Sequence, residues 1–349
     1  MTVAVLFGGA SNEHDVSLRS ARAVIAHLPK DVQTLLIGIT REGAWYRFSG
    51  SPDLLTENRW LADASLLSPL CASLTERGVL IEEDGTRHKI DAVFPVLHGQ
   101  NCEDGRLQGF LDTLRVPYVG CGCSASVLGM DKVTAKIIAE QGGIPVARFL
   151  LVTRTELGNA DGLASAVKRV EEAFPSYPVF VKAVCSGSSV GAYRANGRAE
   201  LENALTLASE VDERILVEEF MVGKEVECAV LQAGGKTHAF TPGEIDPGAE
   251  FYDYDTKYSA DTASYFIPAR VSDEVLSTVR TYASRIFELL SCRHLSRVDF
   301  FVTEDGRVIF NEINTLPGFT SISMYPKLCE HGGVSFDALV AALVKEALS

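Results

Sequence analysis

The sequence predicts an α/β fold, and three observations carry that prediction. Residues 3–7 are a continuous apolar run ending in Gly8-Gly9, as in a parallel strand buried on both faces. Val16, Leu18, Ala21, Val24, Ile25 and Leu28 follow at helical spacing. Strand-like and helix-like segments then keep alternating along the 349 residues, enough for roughly two or three domains.

The elements can be taken in order. Residues 35–39 and 90–97 read as further strands, 117–119 as a short one, and 41–75 as a loop-like insertion in an open α/β layer of about 120 residues. A helix over 132–140 stops at Gly142-Gly143, with Pro145 beyond. The stretch 148–210 reads as strand, helix, strand, glycine-serine loop, helix, with helices at 161–174 and 198–210. Strands follow at 215–220, 225–232 and 236–241, then a loop rich in Tyr, Asp and Gly over 243–268. Ser272 and the acids after it open a long amphipathic helix over 273–290. Strands at 297–302 and 308–311 flank the turn Glu304-Asp-Gly-Arg, and a last helix starts near Ser335.

Composition removes several function classes. Hydrophobic residues make up 46%, enough for a buried core, so disorder is not expected. The 32 basic and 46 acidic residues give a net charge of -14, which disfavours a sequence-independent grip on nucleic acid or an anionic membrane. No apolar run reaches the ~20 residues that span a bilayer. MTVAVLFGG has no basic region or small-residue cleavage site and reads as a strand, not a signal peptide. Eight scattered cysteines without a CxxC suggest reduced thiols in a cytoplasm. Cys121/Cys123, Cys292/His294 and Cys329/His331 each look like half a metal site with no second half at zinc-like spacing.

Two nucleotide motifs nearly occur. Gly235-Lys236-Thr237 ends like a P-loop, but Val230 stands where the earlier glycine is needed. Gly120-x-Gly122-x-x-Ala125 lacks the strand ending in an acid that a dinucleotide fold requires. Gly187-Ser188-Ser189-Val190-Gly191 follows an apolar segment ending in Lys182; it suits either a polyphosphate cradle or a flexible hairpin. Arg297-x-Asp299 and Glu312-x-Asn314 are stronger as a pair. Residues i and i+2 of a strand share a face, so on adjacent strands Asp299, Glu312 and Asn314 would converge as hard oxygen ligands suited to Mg²⁺. Lys132 at a helix start, Lys182 at a strand end and Lys257 among Tyr252, Tyr254, Tyr258 and Tyr265 are further candidates, the tyrosine loop reading as a lid. Glu13, past the first strand, suits a substrate ammonium or the helix dipole equally.

Together these residues resemble the D-alanine–D-alanine ligase family of the ATP-grasp superfamily. The blocks run in order over nearly the whole chain: FGGASNEHDVSL, VFPVLHGQNCEDGRLQG, GMDK, PVFVKAVCSGSSVG, ILVEEFMVGKEVECAVL, EFYDYDTKYS, SRVDFF and FNEINTLPGFTSISMYP. The resemblance implies an N-terminal α/β domain over 1–121, a central ATP-grasp lobe over 122–212, and a C-terminal lobe over 213–349 that carries the lid loop 243–268. It implies that Glu13 binds the first D-alanine's ammonium and joins Ser188 and Tyr258 in a hydrogen-bonded trio. ATP, the co-substrate, would meet Lys132, Lys182 and Lys257 at its phosphates. Glu218, Glu219, Phe220, Met221 and Asn311 would line its pocket, with Glu225 on the ribose. Asp299, Glu312 and Asn314 would hold two Mg²⁺, with Mn²⁺ as an alternative. Arg297 and the Gly318 N–H would stabilise the oxyanion. Ser323 and the Met324 N–H would take the second carboxylate, near His98 and Glu103.

The resemblance further implies a cytoplasmic homodimer that makes a peptidoglycan precursor, with no nucleic-acid or membrane partner. Related resistance ligases make D-alanyl-D-serine or D-alanyl-D-lactate, often with arginine at the position of Met324; here that residue is apolar and the YDYDTKY loop is of the D-alanine kind. The first domain is similar to the D-serine branch too. Two departures stand out: Ala183-Val184-Cys185 replaces a proline-containing stretch, and Cys102 replaces a small residue.

Overall fold

The computed structural model of the chain describes residues 1–246 and 264–349; Tyr252, Tyr254, Lys257 and Tyr258 lie outside them. Three sheets organise the described residues. The first contains β1 (Thr2–Gly8), β2 (Gln33–Ile39), β3 (Trp45–Phe48), β4 (Leu67–Ala72), β5 (Val79–Glu82), β6 (Arg87–Lys89) and β7 (Ala92–Pro95), in the order β6-β5-β4-β3-β2-β1-β7. Strand β1 lies parallel to β2 and β7, and its residues Val3 to Phe7 are wholly buried, which is why they read as an unbroken apolar run.

The segment 41–75 is not a loop, contrary to the sequence expectation. It supplies β3, two 3₁₀ turns (Pro52–Asn58 and Ala64–Leu66) and β4, and it extends the sheet antiparallel. Trp60 anchors it, fully buried and edge-on to Phe7 with ring centroids 5.2 Å apart. Its apolar anchors Trp45, Phe48, Leu55 and Trp60 are too widely spaced to show a period. Two further strand expectations also change. The 90–97 strand narrows to β7, and 117–119 contributes only an isolated bridge between Val93 and Tyr118.

The second sheet has the order β10-β9-β11-β8, built from β8 (Phe149–Thr153), β9 (Val179–Ala183), β10 (Ala192–Ala195) and β11 (Arg214–Glu219). The third runs β15-β14-β12-β16-β17, with β13 paired to β12; its strands are β12 (Lys224–Ala233), β13 (Lys236–Ala239), β14 (Gly243–Asp246), β15 (Ser264–Phe266), β16 (Leu295–Val302) and β17 (Val308–Asn314). Strands β14 and β15 therefore occupy the two ends of the expected 243–268 loop. Gly234 and Gly235 make the β12–β13 turn, which disposes of the P-loop resemblance.

Among the described residues the helices are α1 (His14–Ala26), α2 (Arg106–Thr113), α3 (Cys123–Met130), α4 (Lys132–Gln141), α5 (Ala160–Ala173), α6 (Arg198–Val211), α7 (Asp273–Leu289), α8 (Met324–His331) and α9 (Phe336–Ala347). Helix α7 is opened by Ser272, whose hydroxyl accepts the Val275 N–H at 3.3 Å. Helices α2, α3 and α8 were not foreseen; each is eight residues long, too short for a 3.6-residue period to stand out. Helices α3, α4 and α7 share a core with the third sheet, whereas α8 and α9 join a core containing β1 and α1. The core that holds β1 and α1 also takes residues of the third sheet, the second sheet packs in a core of its own, and the β9–β10 loop meets loops of the other two sheets around one cleft.

Candidate active site

The site begins where β1 ends. Gly8 has φ +89°, and a side chain there would meet the Ile39 carbonyl oxygen at 2.3 Å, so only glycine permits the turn. That turn delivers Glu13 as the N-cap residue of α1. Its carboxylate sits against Gly99 and Gly187, where added Cβ atoms would lie 2.7 and 3.1 Å from Oε2. The same cleft, of about 130 Å³, is walled by Glu13, His98, Glu103, Ser188, Arg297, Gly318, Ser323 and Met324.

Strands β16 and β17 supply the acids. In their antiparallel register Asp299 stands opposite Glu312 and Arg297 opposite Asn314. The Asn314 amide donates to Asp299 Oδ2 at 2.9 Å, so these residues share one face. Arg297 donates two hydrogen bonds to Asp299, at 2.8 and 2.7 Å. It also pairs with Glu227 of β12 at 2.9 Å. Burial works against its charge, but Asp299 and Glu227 outweigh that and hold the guanidinium well above its ordinary pKa. Glu227 was not singled out from sequence; its signal was Glu225-x-Glu227 on one face of a strand. Among the described residues, no three His, Cys, Asp or Glu side chains are gathered closely enough to hold a metal by themselves. The face shared by β16 and β17 offers two acids and one amide, Asp299, Glu312 and Asn314.

Helix α4 brings lysines to the same place. Asp131 caps it by accepting the Thr134 N–H at 2.8 Å, which fixes Lys132 in the first turn. Lys132 lies 3.6 Å from Glu312 and donates to the Ser186 carbonyl. Lys136, one turn on, is 1% exposed and 2.7 Å from Glu218, whose other oxygen is 2.8 Å from Lys182. Lys182 also donates to Asn311 Oδ1 at 3.1 Å. Burial opposes ionisation of Glu218, yet the two lysines hold its carboxyl down at about 2. Lys136 was missed from sequence; its signal was a lysine on the apolar face of α4 beside Val133, Ala135 and Ala139.

These groups border a second cleft, of about 390 Å³, lined by Lys182, Glu218, Glu219, Phe220, Met221, Glu225 and Asn311 among others. A smaller one of about 90 Å³ shares Lys132, Ser188 and Glu312 with the first cleft and Lys182, Glu225 and Asn311 with the second. Ser188 and Ser189, at φ +49° and +58°, turn the β9–β10 loop over it.

A half-buried acid and a buried histidine finish the first cleft. Burial pushes the Glu103 carboxyl up to about 8, with the Glu13 charge adding to the effect. It accepts N–H groups from Gly99 at 2.8 Å and Leu316 at 3.0 Å. His98 Nδ1 is 3.0 Å from the Leu316 carbonyl, which can only accept, so this nitrogen carries the proton. Nε2 then accepts from the Ser20 hydroxyl at 3.4 Å. Burial lowers the His98 pKa, which keeps the ring neutral. Ser323, the N-cap residue of α8, accepts the Thr320 N–H at 3.0 Å, and Met324 follows at the helix start, where amides lack intrahelical partners. Lys257 and Tyr258 lie outside the described residues.

A larger cleft bordered by Lys136 and Lys182, beside a smaller pocket walled by Glu13, Glu103 and Glu312, is the arrangement expected of an ATP-grasp ligase. Residues 2–121 match the family described as D-ala D-ala ligase N-terminus, and residues 138–345 match D-ala D-ala ligase C-terminus. The chain belongs to the D-alanine–D-alanine ligase family. It is 45% identical to the D-alanine–D-alanine ligase of Acetivibrio thermocellus, covering 98% of this chain and 94% of that one. Against the D-alanine–D-alanine ligase of Caldicellulosiruptor bescii the figures are 42%, 100% and 95%. The solved VanG D-Ala:D-Ser ligase from Enterococcus faecalis superimposes with a TM-score of 0.89 at 37% identity, covering 99% of both chains. The D-alanine–D-alanine ligase from Coxiella burnetii gives 0.85 at 32%, covering 100% of this chain and 95% of that one.

Proposed function

We propose that this chain joins two D-alanines into D-alanyl-D-alanine, consuming ATP, and thereby supplies a peptidoglycan precursor. The observation that carries the reading is the two-strand register that sets Asp299 opposite Glu312 and Arg297 opposite Asn314, with Arg297, Glu312 and Asn314 on the wall of the first cleft. ATP lies in the larger cleft, its adenine beside Glu218 to Met221, its ribose toward Glu225, and its phosphates toward Lys132, Lys182 and Lys257. Asp299, Glu312 and Asn314 are hard oxygen donors that fit Mg²⁺, with Mn²⁺ as an alternative. Bound there, the two ions would spread the negative charge of phosphoryl transfer.

Glu13 holds the first D-alanine by its ammonium, and Ser188 and Tyr258 close over it. A carboxylate oxygen of that D-alanine attacks the γ-phosphorus, ADP leaves, and an acyl phosphate forms. The neutral amine of the second D-alanine attacks the acyl carbon. Arg297 and the Gly318 N–H face the oxyanion of the tetrahedral intermediate, and inorganic phosphate departs. Ser323 and the Met324 N–H hold the second carboxylate, with His98 and Glu103 alongside. Acyl phosphates hydrolyse, so the closing lid must exclude water.

The apolar walls Val16, Ile322 and Met324 support D-alanine, whose side chain is a methyl, as the second substrate. Likeness to the D-Ala:D-Ser ligase is the specific observation on the other side. Incubation with ATP and equal D-alanine, D-serine and D-lactate, with products resolved by mass, decides between them. D-alanyl-D-alanine should dominate; a predominance of D-alanyl-D-serine would overturn the assignment of the second subsite. No described helix is long and apolar enough to cross a membrane. A reducing cytoplasm, supported by eight cysteines outside any disulfide, and a homodimer complete the proposal.

A further inference from the structure

Lys136 is the most deeply buried cation near the nucleotide cleft among the described residues, and none of the roles above uses it. It spans from α4 to Glu218 on β11 and also donates to the Phe310 carbonyl at 3.4 Å. Burying a lysine is costly, and an apolar residue would fill the same space between helix and sheet more cheaply. Its placement therefore calls for a reason other than packing.

The charge arrangement supplies one. Glu218 divides its two oxygens between Lys136, at 2.7 Å, and Lys182, at 2.8 Å. Two lysines share one carboxylate on the wall of the larger cleft, and the ammonium left unmatched acts on a ligand there. Glu312 and Glu225 also act on Lys182. Glu312 has Lys132 at 3.6 Å, so α4 places one lysine against each of two acids that compete for Lys182. Without Lys136, Glu218 and Lys182 would cancel each other.

We infer that Lys136 is a positioning residue for ATP: by satisfying Glu218, it leaves the ammonium of Lys182 available to the nucleotide's phosphates. The inference rests on the assignment of ATP to this cleft. It separates the phosphate contribution to binding from the adenine contribution, which Glu218 also borders. The readout is thus the ratio of the adenosine Kd to the ATP Kd, measured calorimetrically on the full chain without D-alanine.

In Lys136→Met the ratio should fall about tenfold or more, because one buried charge is removed from a trio. In Lys136→Met/Glu218→Gln it should recover to within about threefold of the unsubstituted chain, since the competing carboxylate is gone too. Equal loss of adenosine and ATP binding in Lys136→Met would mean a merely structural role and overturn the inference. So would a double variant with a ratio as low as the single one. If Lys136→Met does not fold, Glu218→Gln alone decides: the ratio should rise above that of the unsubstituted chain, and an unchanged ratio refutes the inference. Failure of the unsubstituted chain to bind ATP would instead refute the assignment of the cleft.

Discussion

At the scale of single residues, the site depends on charges whose neighbours set their state. Asp299 is held by Arg297 and Asn314, whereas Glu312 faces Lys132 at 3.6 Å. Glu312→Gln keeps the shape and removes the charge. Turnover, read as ADP release with D-alanine, should fall by about a hundredfold or more; a near-normal rate would defeat the metal assignment. Glu103 makes a pH prediction. Its folded pKa is raised from 4.5 to about 8, so between those values the native chain binds a proton that the unfolded chain lacks. Its contribution to stability is therefore fully present below about 4.5 and is lost as pH rises through about 8. Glu103→Gln should flatten that decline in denaturant midpoints taken from pH 5 to 8, and an unaltered slope would show that Glu103 does not titrate there. The motif residues were legible in the sequence because acids and lysines on otherwise apolar strands are unusual. Lys136 and Glu227 were not, because their meaning depends on partners 82 and 70 positions away, Glu218 and Arg297.

At the scale of elements, the sequence was informative wherever periodicity was long. Strand β1, helix α1 and helix α7 announced themselves, one by an apolar run and two by helical spacing. The 41–75 segment did not, because its order comes from packing on the rest of the sheet and not from a repeat. Trp60 is the anchor, and Gly38 of β2 makes room for it: a Cβ on Gly38 would lie 2.3 Å from the indole ring. Gly38→Ala should therefore destabilise the chain by about 1–3 kcal/mol in equilibrium denaturation. No loss would mean that Trp60 does not pack as described. The short helix α8 was equally hidden, although its start positions Ser323 and Met324.

At the scale of the whole molecule, the first cleft exists only because separate sheets meet. The Leu316 loop, just beyond β17, is gripped by Glu103 through its N–H and by His98 through its carbonyl, both from the loop that follows β7. Gly120, at the end of the first sheet's region, donates to His294 Nδ1 before β16 at 3.1 Å. Such contacts over 170 to 220 positions cannot be read from local pattern; the ordered motif blocks implied the assembly only through family resemblance. The assembly sets the larger cleft beside the acidic pocket, and the reaction proposed for them phosphorylates the substrate carboxylate itself. D-alanine labelled with ¹⁸O in its carboxyl group tests that directly. If an acyl phosphate forms, the inorganic phosphate released with each dipeptide carries one ¹⁸O atom from the substrate; phosphate free of label would contradict the account.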